Sequence, residues 1–420
     1  MTSRVTILAA GTRGDVQPYV ALALGLLDAG HDVTLAANAE FRPLVQAYRV
    51  PFEPLRADFL ALADTDDGRD ALQGGRLGAA RRMRAAAAPM LRRMLDDAWR
   101  AAQDVDAIVY HPKTLAGPHL SERLGVPATV AVPAPVLTPT RAFPLPGLVD
   151  RDLGPWLNRA SYKLSAAASA AFRGTVDTWR AEVLDLPRAP HGTRDVAPDG
   201  TPLPTLYPFS TAVVPRPPDW PAGTIVTGYW PLGAAPGWRP DPALERFLAA
   251  GPAPVYVGFG SMPLADAGAT AALATRALRL AGVRGLVAGA AGAALERADD
   301  VLAVGDVPHA WLFDRVAAVV HHGGAGTTGA ALRAGRPAVV VPQAVDQPFC
   351  SRALYARGAA PLPLDARRLT AEALAGAITR ALADPIAAPA AALGRFLRAE
   401  DGVAVAVAAL GGAAPLRRAA

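Results

Sequence analysis

Residues 317–347, AAVVHHGGAGTTGAALRAGRPAVVVPQAVDQ, contain the pattern that decides the fold. The apolar run 316–320 is rich in β-branched residues and predicts a buried parallel strand. The glycine-rich residues 321–328 follow it, and a helix-forming stretch comes next, closed by Gly335 and Pro337. A strand, a glycine loop and a helix in this order bring backbone N–H groups and a helix N-terminus against a bulky anion, which we expect to be phosphate.

A second apolar strand, residues 338–341, ends just before Pro342, Gln343, Asp346 and Gln347. We expect these side chains at the carboxyl edge of the sheet, where open α/β sheets bind ligands. Residues 324–329 also match the dinucleotide fingerprint, with Asp346 near the distance of a ribose-binding acid. A nicotinamide or flavin site therefore stays open, and so does a purely structural glycine turn.

The whole pattern resembles the donor-site signature of family 1 nucleotide-sugar glycosyltransferases, in the branch of bacterial antibiotic and sterol glucosyltransferases. The resemblance rests on HHGGAGTT at residues 321–328, AG-x-P at residues 334–337, Pro342 and the Asp346-Gln347 pair. It is strong over residues 255–364 and weak over residues 35–105 and 147–205. It implies an α/β protein with the GT-B fold, in which two Rossmann-like domains face a central cleft.

Length and periodicity also indicate two domains, because 420 residues are enough for two separate cores. Strands and helices alternate from Val5 onward, and residues 206–214 read as the last strand of the first half. Residues 133–146 are too rich in proline for a helix or a strand, and the Pro-rich residues 215–221 read as a linker. We therefore predict an acceptor-binding domain over residues 1–220 and a donor-binding domain over residues 221–395. Residues 396–420 should form a helix and tail that pack back toward the first domain, as in similar proteins.

Composition limits the compartment and the partners. No apolar run approaches the ~20 residues of a membrane span, and the N-terminus lacks a secretory signal, so we expect a cytoplasmic protein. The single cysteine, Cys350, excludes an internal disulfide. The net charge of +5 comes without a clustered basic face carrying aromatic residues, so we expect no nucleic-acid partner. The Arg-rich helix 76–100 is either a solvated amphipathic helix or a transient contact with anionic lipid, and the oligomeric state stays open.

By resemblance, the second domain supplies most of the nucleotide-sugar contacts. His322 corresponds to a diphosphate-binding histidine, and Asp346 and Gln347 correspond to the pair that holds sugar hydroxyls. Val307 and His309 lie at the nucleobase pocket, although ordinary packing remains an alternative for His309. Further candidate contacts to the nucleotide sugar are Ser261, Gly324, Ala325, Gly326 and Thr327 in the second domain, and Thr12, Arg13 and Gly14 in the first.

Asp15 is the candidate catalytic base. It follows the first strand in the string Gly14-Asp15-Val16-Gln17-Pro18, where many similar proteins have a histidine and the antibiotic and sterol branch has Asp. An exposed carboxylate with a pKa near ~4 is a weak base, so we expect a partly dry cleft that raises its pKa, or proton transfer late in a dissociative transition state. The alternative is an N-cap for a helix beginning at Pro18. His111 is a second catalytic candidate, which could orient the acceptor or share the proton, or be structural.

No metal is expected, because the helix dipole, His322 and Ser261 can meet the negative charge of a leaving diphosphate. The two-Asp strings at residues 64–66 and 104–106 resemble metal-binding motifs, but neither follows a convincing buried strand. The sequence thus predicts an inverting, metal-independent glycosyltransferase, with no cofactor beyond its co-substrate. It would move a hexose from a UDP- or dTDP-sugar to a hydroxyl of a lipophilic small molecule. A dinucleotide-dependent oxidoreductase and a non-catalytic lipid-binding protein are the alternatives.

Overall fold

The computed structural model describes residues 2–56, 77–149, 151–260, 266–295, 298–343 and 346–412. Within these residues the chain forms two parallel β-sheets flanked by helices. The first sheet has the strand order β3-β2-β1-β4-β5-β6-β7. Its strands are β1 (Arg4–Leu8), β2 (Asp32–Asn38), β3 (Phe52–Leu55), β4 (Ala107–Tyr110), β5 (Ala128–Ala131), β6 (Thr205–Tyr207) and β7 (Thr224–Val226).

The second sheet has the order β10-β9-β8-β11-β12. Its strands are β8 (Val255–Gly258), β9 (Gly285–Ala288), β10 (Val301–Val304), β11 (Ala318–His321) and β12 (Ala338–Val340). Two of the three inner strands of this sheet, β8 and β11, are buried along their whole length. Helices cover both faces of a parallel sheet, which is why these strands are uninterrupted apolar runs rather than alternating ones.

The described helices of the first half are α1 (Arg13–Asp28), α2 (Arg42–Ala47), α3 (Leu77–Ala101), α4 (Gly117–Leu124), α5 (Pro155–Ser161), α6 (Lys163–Ala170) and α7 (Arg173–Val183). Those of the second half are α8 (Pro242–Ala249), α9 (Ala267–Leu280), α10 (Gly289–Ala293), α11 (His309–Leu312), α12 (Ala325–Arg333), α13 (Gln347–Ala356), α14 (Ala371–Leu382), α15 (Asp384–Ala399) and α16 (Gly402–Gly412). None of the described helices is long and apolar enough to cross a membrane.

The register of the parallel strands brings the functional loops together. Leu8, the last residue of β1, lies beside Tyr110, the last residue of β4. His321 ends β11 beside Gly258, which ends β8. Because the carboxyl ends of parallel strands meet at one edge, the loop after β1 lies next to the loop after β4, and the loop after β11 lies next to the loop after β8.

Three details differ from the sequence prediction. Helix α1 begins at Arg13 rather than Pro18, so Asp15 lies in the first helical turn and not in a loop. The last strand of the first half was predicted over residues 206–214, but β6 ends at Tyr207. The first sheet also continues past the predicted boundary at residue 220, since β7 pairs with β6 in parallel. Residues 133–146 contain neither helix nor strand, as predicted.

The end of the chain returns to the first domain. Val403 and Val407 of α16 pack beside the core that includes α1, and Gly25 of α1 gives them room because a Cβ there would strike Val403. Glu400, between α15 and α16, accepts a 2.7 Å hydrogen bond from Ser210 of the first half. These contacts tie the two domains together on the side that α1 shares with α16.

Candidate active site

The glycine loop after β11 forms a candidate phosphate cradle. Gly323 has a φ of +91°, which favours glycine, and its missing Cβ leaves room for Val340 and Gln347. Gly324 caps α12, so the N–H groups of Ala325, Gly326 and Thr327 begin the helix without intrahelical partners. A Cβ on Gly326 would meet no atom within 4 Å, so the space above this turn is open. Amides and helix dipole together suit an anion at this point.

The two neighbouring histidines differ in their contacts. His321 is fully buried, its Nδ1 accepts a 3.0 Å hydrogen bond from the Gly323 amide, and burial lowers its pKa to about 3. His321 therefore shapes the loop. His322 is only half-buried and fits between Gly260 and Gly324, where a Cβ on either glycine would come within 2.5 Å of its ring. Burial also lowers the pKa of His322, so it would meet a diphosphate as a neutral hydrogen-bond donor.

Asp15 occupies a specific position at the start of α1. Its Oδ2 accepts hydrogen bonds from the backbone N of Thr12 at 2.7 Å and from the Thr12 hydroxyl at 3.0 Å. Asp15 thus binds back to the residue that caps its own helix, in the manner of a capping box. Asp15 therefore does help to cap a helix, as the alternative interpretation held, but it does so as the third residue of α1 and not as the N-cap of a helix beginning at Pro18. Gly11, with a φ of +131°, must be glycine because a Cβ there would strike the Asp15 carboxylate.

Two residues of the loop after β4 contact the same carboxylate. Lys113 Nζ lies 2.7 Å from Asp15 Oδ2, and His111 Nε2 lies 3.3 Å from Oδ1. The Nδ1 of His111 accepts from the Lys113 backbone N–H at 3.2 Å, which assigns the ring proton to Nε2, facing Asp15. Burial lowers the pKa of His111 despite the nearby Asp15, so the ring is neutral. A neutral His111 with this tautomer supports Asp15 and has no nitrogen left to receive another proton.

The environment of Asp15 contradicts the expectation of a raised pKa. Burial alone would raise it, but the hydrogen bond from His111 and the positive charge of Lys113 outweigh burial, and the pKa is strongly lowered. The side chain is nevertheless 14% exposed, so a ligand can reach it. Lys113 was not among the residues selected from the sequence, although it stands two positions after His111 and is one of only two lysines in the chain.

Asp346 and Gln347 begin α13 on the opposite side of the cleft. Burial raises the pKa of Asp346, the negative charge of Asp15 adds to the effect, and Lys113 acts in the other direction. Gln347 is buried, and its Oε1 accepts a 2.8 Å hydrogen bond from the Gln343 amide. Gln347 thus holds the Gln343 backbone beside the start of α13.

A salt bridge joins the two domains beside these groups. Arg13 Nη1 lies 2.5 Å from Asp306 Oδ2, immediately before the half-buried Val307. His309 stacks on Phe313 with ring centroids 4.4 Å apart, and burial lowers its pKa to about 4. These contacts match the packing alternative for His309.

Gly14 lies in the first turn of α1, where a Cβ would approach only the Thr12 hydroxyl, at 3.6 Å.

Some predicted residues cannot be placed in the site. Ser261 and the string at residues 64–66 lie outside the described residues. Asp106 precedes β4, at the amino end of the sheet, and its carboxylate accepts a 2.8 Å hydrogen bond from the Arg4 amide. The string at residues 104–106 is therefore remote from the cleft. Among the described residues, no three His, Cys, Asp or Glu side chains are grouped as a metal ion would need.

Two parallel α/β domains, with a candidate anion cradle on one and a supported carboxylate on the other, are typical of enzymes that bind a ligand between Rossmann-like domains. The glycosyltransferase family 28 N-terminal domain matches residues 5–144, and the erythromycin biosynthesis protein CIII-like C-terminal domain matches residues 288–400. The chain is 37% identical to O-mycaminosyltylonolide 6-deoxyallosyltransferase of Streptomyces fradiae, covering 95% of both chains. It is 35% identical to a sterol 3-beta-glucosyltransferase of Arabidopsis thaliana, covering 96% of this chain and 67% of that one.

A solved structure shares the fold. The crystal structure of the Streptomyces sp. SF2575 glycosyltransferase SsfS6, complexed with thymidine diphosphate, has a TM-score of 0.63 at 22% identity, covering 98% of this chain and 99% of that one. The chain therefore belongs to the GT-B glycosyltransferases of the bacterial antibiotic and sterol branch, and it is an enzyme. The predicted resemblance and fold are confirmed. Because the chain belongs to a glycosyltransferase family, the oxidoreductase and the non-catalytic lipid-binding alternatives are set aside.

Proposed function

We propose that this glycosyltransferase moves a hexose from a UDP- or dTDP-sugar to a hydroxyl group of a lipophilic small molecule, with inversion and without a metal ion. The observation that carries the proposal is the salt bridge that joins the two domains beside the candidate base. Arg13 stands two residues before Asp15 in α1 and lies 2.5 Å from Asp306 of the second domain, so an acceptor held at Asp15 would lie against a sugar held by the second domain.

The second domain would bind the donor. The amides of Ala325, Gly326 and Thr327 and the ring of His322 would hold the diphosphate, and Asp346 would accept hydrogen bonds from sugar hydroxyls. Val307 would lie at the nucleobase. The thymidine diphosphate in the SsfS6 complex supports a dTDP-sugar, and the sterol glucosyltransferase relative supports a glucose donor.

The first domain would bind the acceptor. The names of the two relatives, one acting on a tylonolide and the other on a sterol, favour a large lipophilic alcohol. The cleft supports this, because Phe143 of residues 133–146 contacts Phe349 of α13 with ring centroids 4.9 Å apart. Aromatic side chains from both domains would then face the apolar body of the acceptor.

Asp15 would receive the proton of the acceptor hydroxyl on Oδ1. Its Oδ2 already has three donors from Thr12 and Lys113, whereas Oδ1 has only the longer contact with His111. The acceptor oxygen bonds to the anomeric carbon as the bond from that carbon to the phosphate oxygen breaks. The electron pair leaves with the diphosphate, and the hydroxyl proton goes to Asp15. Because the attacking oxygen becomes strongly acidic as it bonds to carbon, a carboxylate of low pKa suffices when the proton moves late.

Inversion would follow from the division between domains. Asp15 and the phosphate cradle belong to opposite domains, so a hydroxyl held at Asp15 attacks the face of the sugar opposite the departing diphosphate. A single displacement from that face inverts the anomeric centre. Nuclear magnetic resonance of the purified product should therefore show the opposite anomeric configuration to the donor, and retention would contradict the proposal.

The test of the reaction is transfer by purified protein from UDP-glucose and dTDP-glucose to a panel of macrolactone and sterol alcohols. We expect nucleoside diphosphate release that depends on the acceptor, and thermal stabilisation by UDP or dTDP that grows with ligand concentration. Turnover should survive EDTA, since dipole, amides and His322 meet the leaving charge. If chelation abolishes transfer and Mg²⁺ restores it, metal independence is wrong.

A further inference from the structure

Residues 133–146 hold Phe143 in a defined position although they contain neither helix nor strand. Two residues before it, the Arg141 amide donates a 2.9 Å hydrogen bond to the Asp219 carboxylate. Two residues after it, the Leu145 amide donates a 2.7 Å hydrogen bond to a serine hydroxyl of α5. The backbone is therefore anchored on both sides of Phe143.

The ring of Phe143 also has an aromatic support within its own domain. Tyr207, the last residue of β6, stacks on Trp220 with ring centroids 4.9 Å apart, and Phe143 packs edge-on against Trp220 at 6.5 Å. Both supporting rings are bonded to Thr138, whose amide donates to the Tyr207 hydroxyl at 2.9 Å and whose carbonyl accepts from Trp220 Nε1 at 3.1 Å. The first domain therefore fixes the place of Phe143 over the end of β6.

From this position Phe143 meets Phe349 of the second domain. The two rings are half-buried, with centroids 4.9 Å apart and planes tilted by 55°. Phe349 is the third residue of α13, whose N-cap is Asp346. The carbonyl of Gln347 in the same turn lies against Gly323, where a Cβ would come within 3.1 Å of it. The aromatic contact therefore touches the helix turn that joins the candidate sugar-binding residue to the glycine loop.

The aromatic contact and the salt bridge lie at opposite ends of the cleft. Asp306 follows β10 and Phe349 follows β12, and these are the two edge strands of the second sheet. Arg13, which follows β1, pairs with Asp306, whereas Phe143, beyond β5, meets Phe349. The space between the domains is therefore bounded at both ends. An acceptor whose hydroxyl lies at Asp15, beside the salt bridge, has to extend its body toward the two phenylalanines.

The strand order gives the length of this space. In the first sheet β1, β4, β5 and β6 are successive neighbours. Because neighbouring strands are about 4.8 Å apart, the ends of β5 and β6 lie roughly 10–14 Å from the end of β1. Asp15 follows β1, and Phe143 lies over the β5 and β6 side. A single six-membered ring falls short of this distance, whereas several fused rings or a macrocycle span it.

We infer that Phe143 and Phe349 are specificity-determining residues, which select alcohols with a ring system that reaches roughly 10–14 Å from the reacting hydroxyl. The inference rests on the proposed function, because it places the acceptor hydroxyl at Asp15. A shorter acceptor leaves the two rings without apolar contact and binds weakly. A longer one has to displace Phe349 and with it the start of α13, including Asp346.

The test measures kcat/KM with a series of acceptors of increasing length: cyclohexanol, 2-decalol and a 3-hydroxysteroid. For wild type, kcat/KM should rise along the series. Phe143→Ala should lower the value for the steroid by ~10- to 100-fold, because the burial of an aromatic side chain against the ligand is lost. The value for cyclohexanol should not change. Phe349→Ala should give the same pattern, and the double variant should lose less than the product of the two single losses, since both act through one contact.

Two controls accompany these variants. Phe143→Tyr keeps the aromatic ring and should retain the wild-type dependence on acceptor length. Phe396→Ala removes a ring that is 54% exposed on α15, outside the cleft, and should leave all three acceptors unaffected. Melting temperature verifies that each variant folds.

Three outcomes would overturn the inference. If Phe143→Ala lowers kcat/KM equally for all three acceptors, Phe143 only supports residues 133–146. If the steroid is transferred equally well by Phe143→Ala and wild type, the acceptor does not reach this contact. In both cases transfer itself persists, so the proposed function stands. If wild type transfers sugar to none of the three alcohols, the proposed acceptor class is wrong and the inference is wrong with it.

Discussion

Asp15 and Asp346 lie on opposite domains of one cleft, and their surroundings move their pKa values in opposite directions. Hydrogen bonds and the charge of Lys113 lower the pKa of Asp15 in spite of burial, whereas burial and the charge of Asp15 raise the pKa of Asp346. Carboxyl groups whose environments separate their pKa values usually have different tasks. The group that is always ionised is the one available to take a proton.

The same contrast has consequences for stability. The unfolded pKa of Asp is about 4, and the folded pKa of Asp15 is lower. The ionised Asp15 therefore contributes its full stabilisation of the fold at any pH above the unfolded value of about 4. This contribution is lost only as the pH falls toward the folded pKa. Asp346 has the opposite sign, because its folded pKa is raised. Its ionisation therefore costs stability at neutral pH, as expected of a group kept for binding rather than for folding.

The largest expected effect comes from Asp15→Asn. Asparagine keeps the size and its side-chain oxygen can still accept hydrogen bonds from Thr12, but it cannot accept a proton, so turnover should fall by roughly 10²–10⁴-fold. Nucleotide affinity should change little, since the donor is held by the second domain. Steady-state transfer rates and calorimetry with UDP or dTDP provide the two measurements.

The control for Asp15→Asn is Asp241→Asn. Asp241 also caps a helix, accepting a 2.6 Å hydrogen bond from the Ala243 amide, but it is exposed. Its substitution should leave turnover intact. If Asp15→Asn instead lowers the melting temperature and keeps full turnover per folded molecule, then Asp15 is only a helix cap and the comparison with Asp346 loses its meaning.

His322→Ala tests whether the second domain holds the donor. Loss of a hydrogen bond to a charged group should weaken UDP or dTDP binding by ~1.5–3 kcal/mol, or roughly 10- to 100-fold. His31→Ala is the control, because His31 lies at the amino end of β2, away from the glycine loop, where it accepts a hydrogen bond from the Ser3 amide. Calorimetry that finds unchanged nucleotide affinity for His322→Ala would remove this residue from the donor site.

Lys113→Met should reduce the difference between the pKa values of Asp15 and Asp346. Without the ammonium group, the pKa of Asp15 should rise by about 1–3 pH units, since an opposite charge at this distance lowers the pKa of an Asp by that much. The acid limb of the kcat/KM profile should therefore appear at higher pH in Lys113→Met than in wild type, whose strongly lowered Asp15 pKa keeps the limb below the assayed pH range. Lys113→Arg retains the charge and should keep the wild-type profile. Superimposable profiles for Lys113→Met and wild type would mean that Lys113 does not control Asp15.

Much of this site could be predicted from local sequence. The strand, glycine loop and helix of residues 318–333 were correctly expected, because a buried strand and a helix start have strong local signals. The capping box of α1 also had a signal, since Thr12 precedes Asp15 by three residues, but Pro18 was taken for the helix start. Pro18 lies inside α1, beyond the first turn in which a helix normally tolerates proline, so the local signal favoured a start at Pro18 rather than at Arg13.

The remaining features depend on tertiary structure. Lys113 reaches Asp15 only because β1 and β4 are neighbours in register, and nothing local reveals that pairing. The salt bridge between Arg13 and Asp306 requires the closeness of two domains. Strand β7 is three residues long and follows a Pro-rich segment, so its place in the first sheet could not be read from periodicity.

Asp346→Asn should change the melting temperature and the transfer rate least of the four variants, and the direction of the change in melting temperature is the informative result. Because burial and the charge of Asp15 raise the pKa of Asp346, replacing its carboxylate with a neutral amide should raise the melting temperature of the nucleotide-free protein at neutral pH. That gain should shrink as the pH falls and Asp346 becomes protonated. Transfer should decrease at the same time, since an amide accepts fewer hydrogen bonds from sugar hydroxyls than a carboxylate. Melting curves across pH, paired with transfer assays, test both parts. A variant that melts at a lower temperature and transfers normally would show that Asp346 stabilises the fold. Asp346 would then not bind the sugar, and the contrast between a sugar-binding Asp346 and a proton-accepting Asp15 would be wrong.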